Sequence, residues 1–138
     1  MITLENVFVD TSAWMALADT DDDYHTQATK ILPSVLKDFR NVLTSNLVIA
    51  ESYILILHEL GYKASQEFLN NITASPRVRV IYSTQEVEED AKLILKKYAD
   101  QDFSYTDAVS FAIMNKHKTV KAFTFDKHFT TAGFTRIP

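Results

Sequence analysis

Short apolar strands alternating with helices constrain this chain more than any other feature. Val7–Val9, Val42–Thr44, Val78–Tyr82 and Lys121–Thr124 each read as a short strand, with Phe134–Ile137 a candidate fifth. Helical patterns lie between them. Such alternation defines an α/β class with βα units and a mostly parallel sheet. At 138 residues the chain is long enough for one sizeable core, so one domain spanning residues 1–138 is expected.

The helices are legible from spacing. Ser12–Ala18 is a first short helix. Tyr24, Ala28, Ile31, Leu32, Val35, Leu36 and Phe39 recur at helical spacing from a start near Asp23. Pro33 inside that pattern predicts a kink or a restart. "NLVIAESYILILHEL" is apolar almost all round, which predicts a buried helix or one that also meets a partner, with Gly61 as its cap. Ala64, Phe68, Leu69 and Ile72 mark another helix, ending before Pro76. Ser83 and Glu86 form a capping-box pattern opening a helix with Val87, Ala91, Ile94, Leu95 and Tyr98 on one face. "SYTDAVSFAIMNKH" is a further helix, and a short helical turn begins near Asp126.

Composition removes several classes of function. The absence of cysteine excludes disulfide scaffolds and thiolate metal sites, and fits a reducing, cytoplasmic setting. Two glycines cannot build a P-loop or a G-x-G-x-x-G turn. Glu5 and Asp10 interrupt the first apolar run, so no signal peptide is expected, and no run is long enough to span a membrane. The net charge of −4 counts against a nucleic-acid binder, unless several carboxylates surround cations.

Four acids bear on that exception. In open α/β sheets, sites form beyond the carboxyl ends of the strands, where strand order reverses. Asp10 ends the first strand and Asp126 follows the fourth. Glu51 lies about a turn and a half into the helix after the second strand, and Asp107 in the first turn of the helix before the fourth. Each also has a plain structural reading. Asp10 and Asp126 could be N-caps, and Asp107 could complete a capping box with Ser104. Glu51 is harder to dismiss, because a carboxylate buried within "LVIAESYIL" is costly without a partner. If the four converge, repulsion raises some of their pKa values, and a divalent cation reverses that. An all-carboxylate site suits Mg²⁺ or Mn²⁺, which support phosphoryl chemistry.

In order along the chain stand "VFVDTSAW", "HTQA", "TSNLVIAESY", "DFSYTDAVSFAIMNKH" and "FTFDKHFTTAGF". Together they resemble the PIN-domain ribonucleases of the VapC toxin type, from about Val7 to the C-terminus. Any one motif is weak; the ordered set is specific. The resemblance implies a three-layer α/β/α sandwich around a sheet of four to five strands in the order 3-2-1-4-5. It implies that Asp10, Glu51, Asp107 and Asp126 bind one or two Mg²⁺ or Mn²⁺ ions, with Thr11 or Ser12 supporting Asp10. It further implies hydrolysis of RNA to 5′-phosphate and 3′-hydroxyl ends, a small antitoxin partner and a homodimer.

Other residues carry weaker expectations. His25, His58, His117 and His128 show no metal spacing on one helix, so zinc is not expected. A Ser12–His128–Asp triad lacks a nucleophile-elbow context. Lys127 and His128 could touch substrate phosphate or form solvated surface. Lys116, Lys118 and Lys121 could be an RNA path or a helix end. Trp14 suits core packing or an interface better than base stacking. Asp21, Asp22 and Asp23 read as a loop and a cap, and Asp102 could shape the site. The apolar helix around Leu55, Ile56 and Leu57 could bury a dimer or antitoxin contact. Two other classes compete with a nuclease: a PIN-like module that binds RNA or protein without cutting, and a receiver-like phosphotransfer domain. The latter normally gathers two acids near its first strand's end, where this chain has one.

Overall fold

The computed structural model describes residues 5–138. Five parallel strands form one sheet in the order β3-β2-β1-β4-β5: β1 Glu5–Val9, β2 Phe39–Ser45, β3 Val78–Ile81, β4 Lys121–Phe123 and β5 Thr135–Ile137. The helices are α1 Thr11–Ala18, α2 His25–Asp38, α3 Asn46–Leu60, α4 Tyr62–Ala74, α5 Gln85–Lys97, α6 Tyr105–Lys116 and α7 His128–Thr131. The expected α/β sandwich and strand order are both present.

β1 is central, so both of its faces are covered, and its inner part, Val7–Phe8–Val9, is continuously apolar and buried. Phe8 packs into a core with Leu43, Val109, Phe111, Ile113 and Phe129 on the α6 side. Val7 and Val9 point the other way, into a core with Ala13, Ala16, Ala28 and Val35 from α1 and α2. A smaller cluster of Ile56, Phe68 and Ile72 joins α3 to α4. Strand order reverses between β1 and β4, whose residues pair in register from Val7–Lys121 to Val9–Phe123. The carboxyl ends of these two strands therefore open onto the crevice where α/β proteins bind ligands.

Several local expectations change. α2 continues through Pro33 without a break. It ends at Asp38, and β2 begins at once at Phe39. The Arg77 guanidinium explains this abrupt change, because it donates to the carbonyls of Leu36, Phe39 and Arg40. The α5 cap is Thr84 rather than Ser83: the Thr84 hydroxyl accepts from Val87 N–H, while Ser83 reaches Glu88. Gly61 does end α3, at φ +94°. α3 is not buried all round, since Ile54, Leu55 and Leu60 are exposed. The enclosed helix is α6, where every residue from Asp107 to Met114 is buried.

Candidate metal centre

Asp10 follows β1 immediately and is 4 % exposed. It occupies the N-cap position of α1, but its side chain makes no capping bond there. Instead its Oδ2 accepts from the hydroxyls of Ser12 at 3.1 Å and Thr124 at 3.0 Å. Each hydroxyl also accepts one backbone N–H from the loop after β4: Ser12 from Phe125 at 2.9 Å, and Thr124 from Asp126 at 3.0 Å. The proton inventory is then complete, with one donation and one backbone acceptance per hydroxyl. This network ties the end of β1 to the end of β4. Burial pushes the Asp10 carboxyl up to about 6 from its ordinary 3.8. The Thr11 N–H and Thr124 hydroxyl oppose the rise, while the charges of Asp107 and Asp126 add to it.

The other acids are held differently. Asp107 completes a capping box with Ser104: its Oδ2 accepts from Ser104 N–H at 3.0 Å, and the Ser104 hydroxyl accepts from Asp107 N–H at 2.9 Å. The same oxygen faces His128 Nδ1 at 3.2 Å. The capping reading of this residue therefore holds, and the capping oxygen also faces His128 and lies near the other acids. Asp126 Oδ1 accepts from His128 N–H at 2.9 Å and lies 3.5 Å from His128 Nδ1. Asp10, Asp107 and Asp126 therefore share one edge of the sheet and interact electrostatically. Glu51 stands on the second turn of α3 and is half-buried rather than buried, so its desolvation cost is smaller than its apolar surroundings in sequence suggested. Among the described residues it makes no hydrogen bond or ion pair with the other three acids.

The hydroxyls that reach Asp10 are those of Ser12 and Thr124, not Thr11. Thr11 Oγ1 is buried without a partner among the described residues. Thr124 was missed in sequence; its signal is a hydroxyl two residues before a strand-end acid. Two variants separate these roles. Ser12→Ala leaves the Phe125 N–H unpaired and removes a donor to Asp10, so it is expected to lower stability by about 1–3 kcal/mol. Thr11→Val removes an unsatisfied hydroxyl without changing shape, so its melting temperature is expected to stay level or rise. Thermal melts of both variants check the pair.

The His128 ring is largely covered and touches three carboxylates. Nε2 lies 3.1 Å from Asp102 Oδ1, and Nδ1 faces Asp107 and Asp126. Burial alone pulls its pKa down. The hydrogen bond to Asp107 and the charges of Asp126, Asp107 and Asp102 outweigh burial and hold it above the usual 6.5. Lys127 is exposed at the same turn. Trp14 packs edge-on against Phe68 and donates from Nε1 to Thr44, so it serves the core. In the acidic loop, Asp19 and Asp22 cap the N–H groups of Asp21 and Tyr24. Lys116 and Lys121 pair with Glu86 and Glu5.

The acids at the carboxyl ends of β1 and β4 thus stand at the topological switch point of a parallel α/β sheet, the place where such folds bind ligands. The chain belongs to the PIN domain family, whose description matches residues 7–134. It is 35% identical over 131 residues to the 23S rRNA-specific endonuclease VapC20 of Mycobacterium tuberculosis, covering 95% of this chain and 97% of that one. It is 24% identical over 139 residues to Ribonuclease VapC26 of the same organism, covering 96% and 100%. The crystal structure of VapC20, described as a sarcin-ricin loop cleaving toxin, superimposes with a TM-score of 0.88 at 34% identity, covering 95% of this chain and 98% of that one. FitAcB from Neisseria gonorrhoeae shares the fold, with a TM-score of 0.68 at 16% identity over 96% of each chain.

The donor set fits a divalent cation. Carboxylate oxygens suit hard ions, and a carboxyl driven up to about 6 by burial and like charges is what a cation would relieve. No helix among the described residues is long and apolar enough to cross a membrane.

Proposed function

We propose that this chain is a metal-dependent endoribonuclease and the toxin of a toxin–antitoxin pair, acting as one domain over residues 1–138 in the cytoplasm. The observation that carries the reading is the meeting of Asp10, Asp107 and Asp126 at the β1–β4 crevice, with Asp10 desolvated there. The three carboxylates hold the ions, Mg²⁺ or Mn²⁺, and Glu51 contributes from α3. One or two ions bound there would supply activation of water and neutralisation of phosphate charge. Ser12 and Thr124 fix the Asp10 rotamer and join it to the Asp126 backbone. Lys127, exposed beside Asp126, attracts substrate phosphate. The substrate is RNA, with ribosomal RNA the class suggested by the VapC20 likeness, and the products carry 5′-phosphate and 3′-hydroxyl ends.

The test is incubation of purified protein with ribosomal and transfer RNA. Cutting is expected with Mg²⁺ or Mn²⁺ and is expected to stop with a chelator. A folded protein that binds RNA without cutting under either metal would favour the binding module instead.

The partner surfaces belong to the same proposal. An apolar cavity of about 370 Å³ lies between α1, α2 and α4, lined by Trp14, Leu17, Leu32, Leu36, Phe68 and Ile72. It fits the apolar face of an antitoxin helix. Leu36, 39 % exposed, stands at this surface. Leu36→Glu is expected to weaken antitoxin binding by about tenfold or more, equivalent to about 1.4 kcal/mol, while leaving RNA cutting intact. Titration calorimetry and a cleavage assay check the two halves. The exposed Ile54, Leu55 and Leu60 of α3 are assigned to a second copy of the chain. A solution mass near twice 15.7 kDa is what that assignment requires.

A further inference from the structure

We propose that His128 is a direct nitrogen ligand of the metal held by Asp107 and Asp126, oriented from behind by Asp102. This rests on the metal-dependent reading above. His128 Nδ1, Asp107 Oδ2 and Asp126 Oδ1 already lie on neighbouring corners, with Nδ1 3.2 Å from one oxygen and 3.5 Å from the other. Donors about 2.1 Å from an octahedral ion sit roughly 3 Å from their neighbours, so the two nitrogen-to-oxygen spacings are close to what shared coordination requires. One donor atom from each of the three residues lies within 4.8 Å of the others.

The ring is aimed rather than loose. Its Nε2 lies 3.1 Å from Asp102 Oδ1, the carboxylate–histidine arrangement that fixes the tautomer of metal-ligating histidines. The Phe103 ring meets it edge-on at 5.1 Å, so the imidazole plane is set from a second side. Phe103 is itself buried against Phe111 and Tyr98. Asp107 is fixed by its capping box and Asp126 by the His128 N–H, so all three donors are positioned before any ion arrives.

A mixed nitrogen and oxygen set changes which ion the site prefers. Affinity for a nitrogen donor rises along the first row from Mn²⁺, which takes oxygen ligands chiefly but accepts an imidazole, whereas Mg²⁺ gains little from one. The parent is expected to bind Mn²⁺ more tightly than Mg²⁺. His128→Asn is expected to lose about ten- to a hundredfold in Mn²⁺ affinity, with little change for Mg²⁺. Asp102→Ala is expected to weaken Mn²⁺ binding less and to keep the nitrogen ligand.

The deciding experiment is pulsed electron paramagnetic resonance of the Mn²⁺-loaded protein, paired with Mn²⁺ and Mg²⁺ titration calorimetry. Circular dichroism confirms that each variant is folded. The expected result is ¹⁴N modulation from a coordinated imidazole in the parent and in Asp102→Ala, absent in His128→Asn. Bound Mn²⁺ without ¹⁴N coupling in the parent, or coupling that survives in His128→Asn, would overturn the assignment and leave the metal-dependent reading standing. A parent that binds neither ion would overturn both.

Discussion

Metal-free Asp10→Asn protein is expected to melt at a higher temperature than the parent at neutral pH. Asp10 ionises in the unfolded chain near 3.8 and in the fold near 6. Between those values the native state binds the extra proton, so the stability of the parent falls as pH rises through that window. Above about pH 6 the whole penalty is present. A difference of about two units at about 1.36 kcal/mol per unit gives about 3 kcal/mol. Asn carries no charge at any pH, and its amide oxygen still accepts from Ser12 and Thr124. The variant should therefore lack the fall between pH 4 and 6 and melt above the parent at pH 7.5. His128 sharpens the same trend, because its folded pKa lies above 6.5 and its contribution fades as pH rises past that value. Urea unfolding across pH 4–8 measures both contributions.

Divalent metal is expected to reverse the order of the two proteins. A ligand that binds only the native state adds about 2.7 kcal/mol at a hundred times its dissociation constant. For a chain of this size that is on the order of 10 °C in melting temperature. Millimolar Mn²⁺ should therefore raise the parent strongly and Asp10→Asn little, so that their melting temperatures cross. A parent unmoved by Mn²⁺ and Mg²⁺ would remove the metal from the account. The pairing of a destabilised apo state with a large metal response is the expected signature of a carboxylate kept for function.

Much of this architecture was legible in the sequence. The four principal strands and the Gly61 cap follow from local pattern, and the ordered motifs carried the strand order. Burial of whole helices was less legible. α3 has the more apolar sequence, but α6 is the enclosed helix, because α3 turns Ile54 and Leu55 outward while α6 is covered by α5, α7 and the sheet. Hydrophobicity alone does not say which of two apolar helices is in the middle. Asp107 shows a second limit: its Oδ2 closes a capping box and also faces His128, so a capping pattern in sequence does not exclude further contacts by the same oxygen. The Thr84 cap was placed one residue early because Ser83 is an equally good capper, and only the approach of Glu88 to Ser83 separates them.

The gathering of Asp10, Asp107 and Asp126 at one edge of the sheet was legible in the sequence, and the groups that support them were not. Asp10 and Asp126 sit at strand ends, which local pattern locates. Thr124 and His128 act through partners 114 and 21 residues distant, and Asp102 through one 26 residues distant. Those pairings come from chain packing, which residue spacing does not encode. Thr11 and Ser12 were equivalent on paper, and helix geometry turned only Ser12 toward Asp10 and the β4 loop.

Asp10 is proposed to be required for cutting RNA rather than for folding. Cleavage of purified RNA by the parent and by Asp10→Asn, side by side in Mn²⁺, tests it most directly. The expected result is a folded variant whose rate falls by at least about a hundred- to a thousandfold, the scale for losing a group that stabilises transition-state charge. Metal-dependent cutting by Asp10→Asn at the parent's rate would contradict it.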